Sequence, residues 1–437
     1  MRSFFICIGL VSLFFSQVSG QAGRYTNPIF PVNVTYNVSF GSAQTYFGFN
    51  QNMTMDIYQP SGDVATKRPL VVFFFGGSFL VGSKNASDVT AMCNDLTKRG
   101  YVCAAVNYRL GFTIGSQRSA VRAVYRAVQD SRAAFRYLAA NAGAYKLDLN
   151  NLYIGGESAG SITAIHNAFM DNDNKRPTET RSAPWYVLEN SDMGCLDCAV
   201  NKFTTTYKIR GIVNLWGGIY DLNYIDAQNK VPTISIHGEA DNTVSINTAA
   251  PYSASLFLPI LNGSRPVSQR LSSLGSYNEF YPYPNQGHVF YGTPDFTFPN
   301  KYWLPVFEQV KTFLYRMVTQ PTLRSQELET TSPILIDAVP YDDNTEIVTE
   351  KVENRPFNLN KAFVKNGMLL VEFESDSKQD LNIQLMTIQG QTIMTAVYHA
   401  EAGANNLEHP IDDLATGIYL VNVNNELQNN SLKFVKQ

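Results

Sequence analysis

One serine in the sequence lies in a pattern suited to nucleophilic catalysis. Ser158 is the central residue of the stretch 156–160 (GESAG), which follows a short apolar run, NLYI, at 151–154. When G-x-S-x-G joins a strand to a helix, its glycines permit a tight turn that exposes the serine hydroxyl. The helix N-terminus then stabilises negative charge that develops beside it. This strand-to-helix context favours a nucleophile over the alternative, an incidental serine in a glycine-rich connector.

A serine becomes a good nucleophile when a base, itself oriented by an acid, accepts its proton. Of the five histidines, His288 fits the base because it ends a polar turn, NQGH, at 285–288. His237 ends a buried strand and His166 lies in the helix after the serine, so we expect structural roles for both. The other two histidines lie in a different, C-terminal domain.

Two acidic residues are candidates for the third member of this group. Glu239 and Asp241 both follow the apolar run at 232–236, and a carboxylate there could reach a neighbouring loop that carries the histidine. Asp221 and Asp226 are more typical of turns and helix caps. The chain order is then serine, acid, histidine, and this order excludes two of the three common serine-triad arrangements.

Backbone N–H groups near the serine are candidates for an oxyanion hole. The apolar run at 69–75 (PLVVFFF) ends in two glycines that would let the backbone approach an acyl oxygen. The candidate donors are the N–H groups of Gly77, Ser78 and Ala159. Four aromatic residues near these loops are candidates for an acyl or aryl pocket, with core or surface packing as the alternative for each: Phe79, Trp216, Tyr220 and Tyr291.

The elements that must position these residues alternate between strand and helix. Apolar runs at 69–75, 101–107, 151–154, 209–215 and 232–236 are typical of strands buried on both faces of a parallel sheet. Stretches at 86–99, 120–141 and 301–318 have helical spacing of their apolar residues. The alternation predicts an α/β fold with a mostly parallel central sheet and helices on both faces.

These motifs together resemble the α/β-hydrolase superfamily, and secreted bacterial carboxylesterases within it. The resemblance rests on FFFGGSF at 73–79, VNYRLG at 106–111, GESAG, and HGEADNTV at 237–244, and it covers about residues 50–318. It implies that Asp241 rather than Glu239 is the acid, that an ester is hydrolysed through an acyl-enzyme intermediate, and that no cofactor or metal is needed. It leaves the ester open. Phe75 and Ser78 replace a His and a Gly of the usual HGGG loop.

The C-terminal region has a different pattern. Short strand-like segments at 369–373, 381–385 and 418–423 are separated by glycine turns, which predicts a small all-β sandwich. The stretch ATGIYLV at 415–421 and the ending LKFVKQ resemble the type IX secretion sorting domain of Bacteroidetes. This resemblance implies the secretion machinery as a partner, with a carbohydrate-binding β-module as the alternative.

The first twenty residues are typical of an export signal that is removed. Arg2 precedes a twelve-residue apolar run, and small residues follow at the cleavage positions. The predicted organisation is a signal peptide at 1–20, a catalytic domain at 21–320, a linker at 321–354 and the sorting domain at 355–437. The protein is therefore expected outside the cell or on its surface, and no later segment is long and apolar enough to span a membrane.

Four cysteines remain after removal of the signal, an even number typical of disulfides in exported chains. Proximity in the sequence suggests disulfides between Cys93 and Cys103 and between Cys195 and Cys198. Spacing alone does not establish this connectivity. The Cys-x-x-Cys spacing is also found at zinc sites, but no nearby Cys or His pair supplies the other two ligands.

Composition limits the partners. The chain has 34 basic and 37 acidic residues among 437, so it lacks the basic excess that nucleic-acid binding requires. The leading hypothesis is a secreted serine carboxylesterase, including feruloyl or acetylxylan esterases, lipases and polyester hydrolases that act on polymers. The rival is a non-catalytic binding protein built on a hydrolase fold.

Overall fold

The structure is a computed structural model that describes residues 23–254, 256–292, 300–324, 334–335, 357–365, 367–387, 392–411, 414, 417–424 and 429–436. The chain forms two compact units that divide near residue 340. The predicted signal at 1–20 and most of the predicted linker lie outside the described residues.

Strands and helices alternate through most of the first unit. In chain order they are β1 (Val32–Gln44), β2 (Asn50–Pro60), β3 (Arg68–Phe74), α1 (Ser87–Thr97), β4 (Val102–Val106), α2 (Gln117–Ala140), α3 (Ala142–Tyr145), β5 (Leu147–Glu157), α4 (Ala159–Phe169), β6 (Ile209–Leu215), β7 (Gly218–Ile219), β8 (Thr233–Gly238), β9 (Thr248–Ala249), β10 (Leu261–Gly263), α5 (Ser264–Ser273), β11 (Asn278–Tyr283), α6 (Trp303–Thr319) and β12 (Ile334–Leu335). Five short 3-10 helices lie between them: Asp173–Lys175, Thr178–Thr180, Leu222–Tyr224, Pro251–Ser253 and Pro321–Arg324.

Nine of these strands form one twisted sheet in the order β1-β2-β4-β3-β5-β6-β8-β11-β12. The pairs β1/β2 and β2/β4 are antiparallel, and the remaining seven strands run parallel to one another. Every residue of β3 and β4 is buried, as expected for strands that are covered on both faces. The predicted α/β fold with a mostly parallel sheet is confirmed.

Seven antiparallel strands form the second unit. They are β13 (Phe357–Lys365), β14 (Met368–Ser375), β15 (Gln379–Thr387), β16 (Thr392–Ala400), β17 (Gly403–Pro410), β18 (Gly417–Asn424) and β19 (Asn429–Lys436). They make one sheet in the order β13-β14-β17 and another in the order β16-β15-β18-β19. A single apolar core takes Val371 and Phe373 from the first sheet and Ile383 and Val421 from the second. This is the predicted all-β sandwich.

The cysteines give one disulfide. Cys195 and Cys198 are bonded to each other, as the short spacing suggested. Cys93 on α1 and Cys103 on β4 are free thiols, so the prediction of a disulfide between them is wrong for this structure. Both are buried and hydrogen bonded to each other, and burial raises the pKa of Cys93 well above its ordinary value. Thiol oxidation proceeds through the thiolate, which this environment disfavours.

Two glycines of the GESAG turn are required by close backbone approaches. A Cβ atom on Gly160 would lie 2.1 Å from the carbonyl oxygen of Phe74, and one on Gly156 would lie 2.4 Å from the carbonyl carbon of Gly160. The turn therefore packs directly against the end of β3. This contact brings the elbow that carries Ser158 next to the loop that follows β3.

We expect Gly160→Ala to lower the free energy of unfolding of the first unit by more than about 2 kcal/mol, because the added methyl overlaps backbone atoms. Gly143→Ala is the control, since a Cβ there meets nothing within 4 Å. It should be neutral, or stabilising by up to about 1 kcal/mol. All three tryptophans lie in the first unit, so urea unfolding followed by tryptophan fluorescence reports on that unit alone. Equal midpoints for the two variants would contradict the packing argument.

Candidate active site

The three predicted catalytic side chains come from the loops that follow three parallel strands. Ser158 follows β5, Asp241 follows β8, and His288 follows β11. These strands point the same way, so their carboxyl ends meet at one edge of the sheet, the usual position for sites in open α/β sheets. The structure brings the three side chains together at that edge.

A continuous chain of hydrogen bonds joins them. His288 Nε2 lies 2.8 Å from Ser158 Oγ, and His288 Nδ1 lies 2.7 Å from Asp241 Oδ2. Ser158 has φ 50° and ψ −120°, a strained conformation for a residue other than glycine. Its carbonyl oxygen accepts the N–H of Ile162 in α4. The serine therefore lies at the start of the helix, and its hydroxyl projects from the turn.

Asp241 is held in one orientation by its own loop. Its Oδ1 accepts the backbone N–H groups of Thr243 and Val244, at 2.8 and 2.9 Å. Burial by itself would raise the pKa of Asp241, but hydrogen bonds with His237 and His288 outweigh it and hold the pKa well below its ordinary value. Asp241 is therefore a carboxylate throughout the neutral range and can orient the imidazole.

His237 does have a structural role, but it also contacts the acid. Its Nδ1 lies 2.7 Å from Ser264 Oγ, and its Nε2 lies 2.8 Å from the carbonyl oxygen of Val244 and 3.3 Å from Asp241 Oδ2. The ring is fully buried and braces the turn that carries Asp241. Its position at the end of a buried strand predicted this role.

A glycine lets the histidine loop approach the acid loop. A Cβ on Gly238 would lie 2.2 Å from the carbonyl oxygen of Gln286, and that oxygen accepts the N–H of Ala240 at 2.9 Å. The N–H of Glu239 is bonded to the carbonyl oxygen of Tyr283. These main-chain contacts fix the distance between the acid and His288. Glu239 itself pairs with Arg265 at the surface and does not reach the histidine.

The loop after β3 lies against Ser158. A Cβ on Gly76 would be 3.3 Å from Ser158 Cβ, so only glycine leaves this space open. Gly77 and Ser78 follow with positive φ angles, which turn the backbone sharply beside the nucleophile. Ala159 is the first residue of α4, whose N-terminus has no side-chain cap. Of the predicted oxyanion donors, Ala159 adjoins the serine in sequence, and Gly77 and Ser78 directly follow Gly76; their catalytic role remains a prediction.

Glu157 is a site residue that sequence reasoning missed. It precedes Ser158 and is buried, with Oε2 accepting the Tyr291 hydroxyl at 2.9 Å and Oε1 accepting the N–H of Gly76 at 3.3 Å. Burial, followed by the nearby Asp88, raises its pKa well above the ordinary value. Its carboxyl group links the elbow to the glycine loop. An acidic residue at the buried end of β5, after the apolar run at 152–154, was the available signal.

Three of the four predicted pocket aromatics are buried in the core. Trp216 and Tyr291 are buried, with their ring centroids 4.6 Å apart. Trp216 packs below His288 at a centroid distance of 6.4 Å, and Tyr291 binds Glu157. Both side chains therefore contact residues of the candidate site from the core side. Phe79 is also buried and contacts Tyr108, so it belongs to the core beneath the glycine loop.

Tyr220, the fourth predicted pocket residue, lies beside the buried His166. Its backbone N–H donates to His166 Nε2 at 3.1 Å, while His166 Nδ1 lies 2.7 Å from the carbonyl oxygen of Ile162. The Tyr220 hydroxyl is 3.4 Å from Glu179 Oε1. This arrangement requires a neutral His166 with its proton on Nδ1, and burial lowers the pKa of His166 to about 4.

Exposed apolar side chains lie on the loop after β3 and on two further loops that are linked to it. We call Leu80, Val81, Ile114, Tyr252 and Phe257 the apolar rim; all five are exposed. The Tyr252 hydroxyl lies 2.6 Å from Ser78 Oγ in the glycine loop. Phe257 contacts the 111–116 loop, where a Cβ on Gly115 would lie 3.8 Å from its ring. The rim thus joins three loops.

Within the described ranges, no group of three or more His, Cys, Asp or Glu side chains is placed to hold a metal ion. The helices in that part of the chain are all too short or too polar to cross a membrane.

Comparison with protein families gives two matches. Residues 55–223 match the BD-FAE family, and residues 365–437 match the secretion system C-terminal sorting domain. The first match begins in β2 and includes Ser158 and the glycine loop. The predicted pairing of an α/β-hydrolase domain of the esterase type with a type IX sorting domain is confirmed. The second match also confirms a secreted or cell-surface protein.

Curated relatives and solved structures resemble parts of the chain. A secreted triacylglycerol lipase of Gibberella zeae is 29% identical over 119 residues, or 26% of this chain and 20% of the lipase. Carboxylesterase 3B of Mus musculus is 35% identical over 112 residues, or 25% of this chain and 19% of that enzyme. The chain therefore spans only about a fifth of these relatives. Thermogutta terrifontis esterase 2 aligns with a TM-score of 0.45 at 18% identity, over 65% of this chain and 94% of that chain.

The neutral state of His166 makes stability depend on pH. Because the pKa falls from an ordinary value of 6.5 to about 4 on folding, the unfolded chain binds a proton below pH 6.5 that the folded chain does not. We expect this residue to lower the free energy of unfolding by about 3 kcal/mol as pH falls from 6.5 to 4. His166→Gln should lack this dependence, so its unfolding midpoint, compared with wild type at each pH, isolates the effect from other groups. Parallel pH curves would contradict the assignment.

Proposed function

We propose that the protein is a secreted serine carboxylesterase. The observation that carries this proposal is the unbroken hydrogen-bond chain from Ser158 through His288 to Asp241 at the carboxyl edge of the sheet. The names of the relatives, a triacylglycerol lipase and a carboxylesterase, support the same reaction type. Serine–histidine–aspartate groups in this geometry perform acyl transfer on several unrelated folds.

In the first half of the reaction, Ser158 Oγ attacks the ester carbonyl carbon while His288 Nε2 accepts the hydroxyl proton. Asp241 stabilises the imidazolium and holds the tautomer in which Nε2 is free to accept. The tetrahedral oxyanion is held by the N–H groups of Gly77, Ser78 and Ala159. Collapse expels the alcohol, which takes the proton from His288 and leaves an acyl-serine.

In the second half, water attacks the acyl-serine and His288 accepts its proton. The same N–H groups stabilise the second oxyanion, and collapse releases the carboxylic acid with the proton returned to Ser158. Glu157 contributes indirectly by tying Gly76 to the elbow, since the oxyanion donors adjoin Gly76.

The exposed side chains of the apolar rim are evidence that the substrate is an uncharged ester with apolar groups. These side chains can bury acyl or alkyl carbons, each burial contributing about 25 cal/mol per Å² of apolar surface. Secretion favours esters met outside the cell, so we keep feruloyl or acetyl groups on polysaccharide, lipids and polyesters as candidate substrates. A panel of esters that varies acyl length and polymer attachment ranks them.

The chain begins with a removable signal at 1–20, and residues 21–320 form the catalytic domain. A linker at 321–354 and a sorting domain at 355–437 follow. The sorting-domain match supports the type IX secretion machinery as the partner of the C-terminal region. The ester substrate is the partner of the catalytic domain.

We expect Ser158→Ala to lower the turnover of p-nitrophenyl acetate by at least about 10³-fold and to abolish labelling by a fluorophosphonate probe, because the hydroxyl is the nucleophile. Ser161→Ala is the matched control: this serine lies one turn further along α4, and its hydroxyl bonds Asn214 instead of the histidine. It should keep its labelling. Equal turnover by wild type and Ser158→Ala would refute the proposal, and an unlabelled wild type would favour a non-catalytic binding protein.

The apolar rim predicts chain-length selectivity. Val81→Asp and Phe257→Asp should raise KM for p-nitrophenyl hexanoate by about tenfold or more, since about 1.4 kcal/mol of lost apolar contact has that effect. KM for the acetate should change less. Val64→Asp, at an exposed position in the turn between β2 and β3, is the control and should leave both values unchanged. A uniform loss on both esters would show that the rim does not contact the acyl chain.

A further inference from the structure

A cavity lies at the edge of the sheet opposite to Ser158, Asp241 and His288. It has a volume of about 470 Å³, within the range of about 300–1,000 Å³ typical of small-molecule sites. It is lined by the C-terminal half of α2, the end of α4, the residues that lead into β6 and the segment before β8. β6 begins here at Ile209 and ends beside Ser158, so its length separates the cavity from the triad by roughly 20 Å.

The lining is strongly basic in a chain whose net charge is −3. Five basic side chains line the cavity, against two acidic ones: Arg132, Arg136, Lys208, Arg210 and Lys230. Both acidic residues are already paired. Asp197 binds Arg132 and Arg136, and Asp171 binds Lys175, which lies outside the lining. An entering anion therefore meets a net positive charge.

The guanidinium of Arg210 can bind a further partner. Arg210 Nε is buried and has no hydrogen-bond partner within the described part of the chain. A buried guanidinium nitrogen without a partner is costly, and a carboxylate satisfies it with paired N–H···O bonds. Arg132 and Arg136 are held in place by Asp197, which is fixed between Cys195 and Cys198 of the disulfide. The basic wall is therefore preorganised.

The rest of the lining suits a hydroxylated ring. Tyr207 stacks on Phe135 with centroids 5.0 Å apart, which fixes its ring at the cavity wall. Thr204, Thr205 and Thr206 line the adjacent wall, each with a hydroxyl that can both donate and accept. The threonine hydroxyls can therefore pair with the hydroxyls of a sugar.

We propose that this basic cavity binds a uronic acid sugar, a ring that combines a carboxylate for Arg210 and Lys208 with hydroxyls for the threonines. The proposal is independent of ester hydrolysis, because it uses no residue of the triad and lies at the other edge of the sheet. The ligand has two sources, a free sugar acid or a uronate unit of a polysaccharide, and both present the same carboxylate and hydroxyls.

The test is a calorimetric titration of the full chain with D-glucuronate, with D-glucose as the uncharged analogue and inorganic phosphate as the plain anion. Glucuronate should bind saturably, and at least about tenfold more tightly than either control, because only it offers both the charge and the hydroxyls. An oligoglucuronide that binds more tightly than the monomer identifies a polysaccharide source, and a weaker one identifies the free acid.

The double variant Arg210→Gln, Lys208→Gln should lower glucuronate affinity by at least about tenfold. Arg181→Gln, at an exposed arginine outside the lining, should not. Lys208→Gln alone changes an exposed side chain and keeps the test valid if the double variant unfolds, and p-nitrophenyl acetate turnover should stay within about twofold of wild type in all three. Glucuronate binding that is absent, no tighter than phosphate, or unchanged in the double variant would overturn the proposal.

Discussion

The hydrogen bond between Asp241 Oδ2 and His288 Nδ1 is the contact on which the candidate site depends. It determines which imidazole nitrogen faces Ser158, and the acid is kept ionised by the two histidines beside it. Two main-chain N–H groups fix the carboxylate, and Gly238 sets the spacing of the two loops. A Cβ at position 238 would force these loops apart, so the chemistry relies on the absence of one methyl group.

The parts predictable from sequence are those with a strong local signal. The buried strands β3 and β4 are continuous apolar runs, and the GESAG turn has its strand-to-helix context within a few residues. The sequence prediction did not include β1, although Val32, Val34, Val38 and Phe40 alternate with polar residues and pack toward the core. The burial of Trp216 and Tyr291 depends on packing between distant loops. The presence of an aromatic residue near a loop does not show whether its side chain lines a pocket or lies in the core behind it.

The same sheet presents two chemically different environments at its two edges. The carboxyl edge combines a paired acid and histidine with a rim of exposed apolar side chains, and it suits uncharged groups. The amino edge gathers arginines and lysines around a cavity. Neither is visible in the overall charge, because 34 basic and 37 acidic residues nearly cancel. Local distribution rather than net charge therefore defines the binding chemistry.

The wide separation of the triad along the chain links activity to the completeness of the fold. Ser158 and His288 are 130 residues apart, and the histidine is carried by the loop after β11, near the far side of the sheet. Contacts at such long range form only after loop-closure entropy has been overcome, so partly folded chains hold the serine without its base. Until β11 is in place, Ser158 therefore lacks its hydrogen bond to His288.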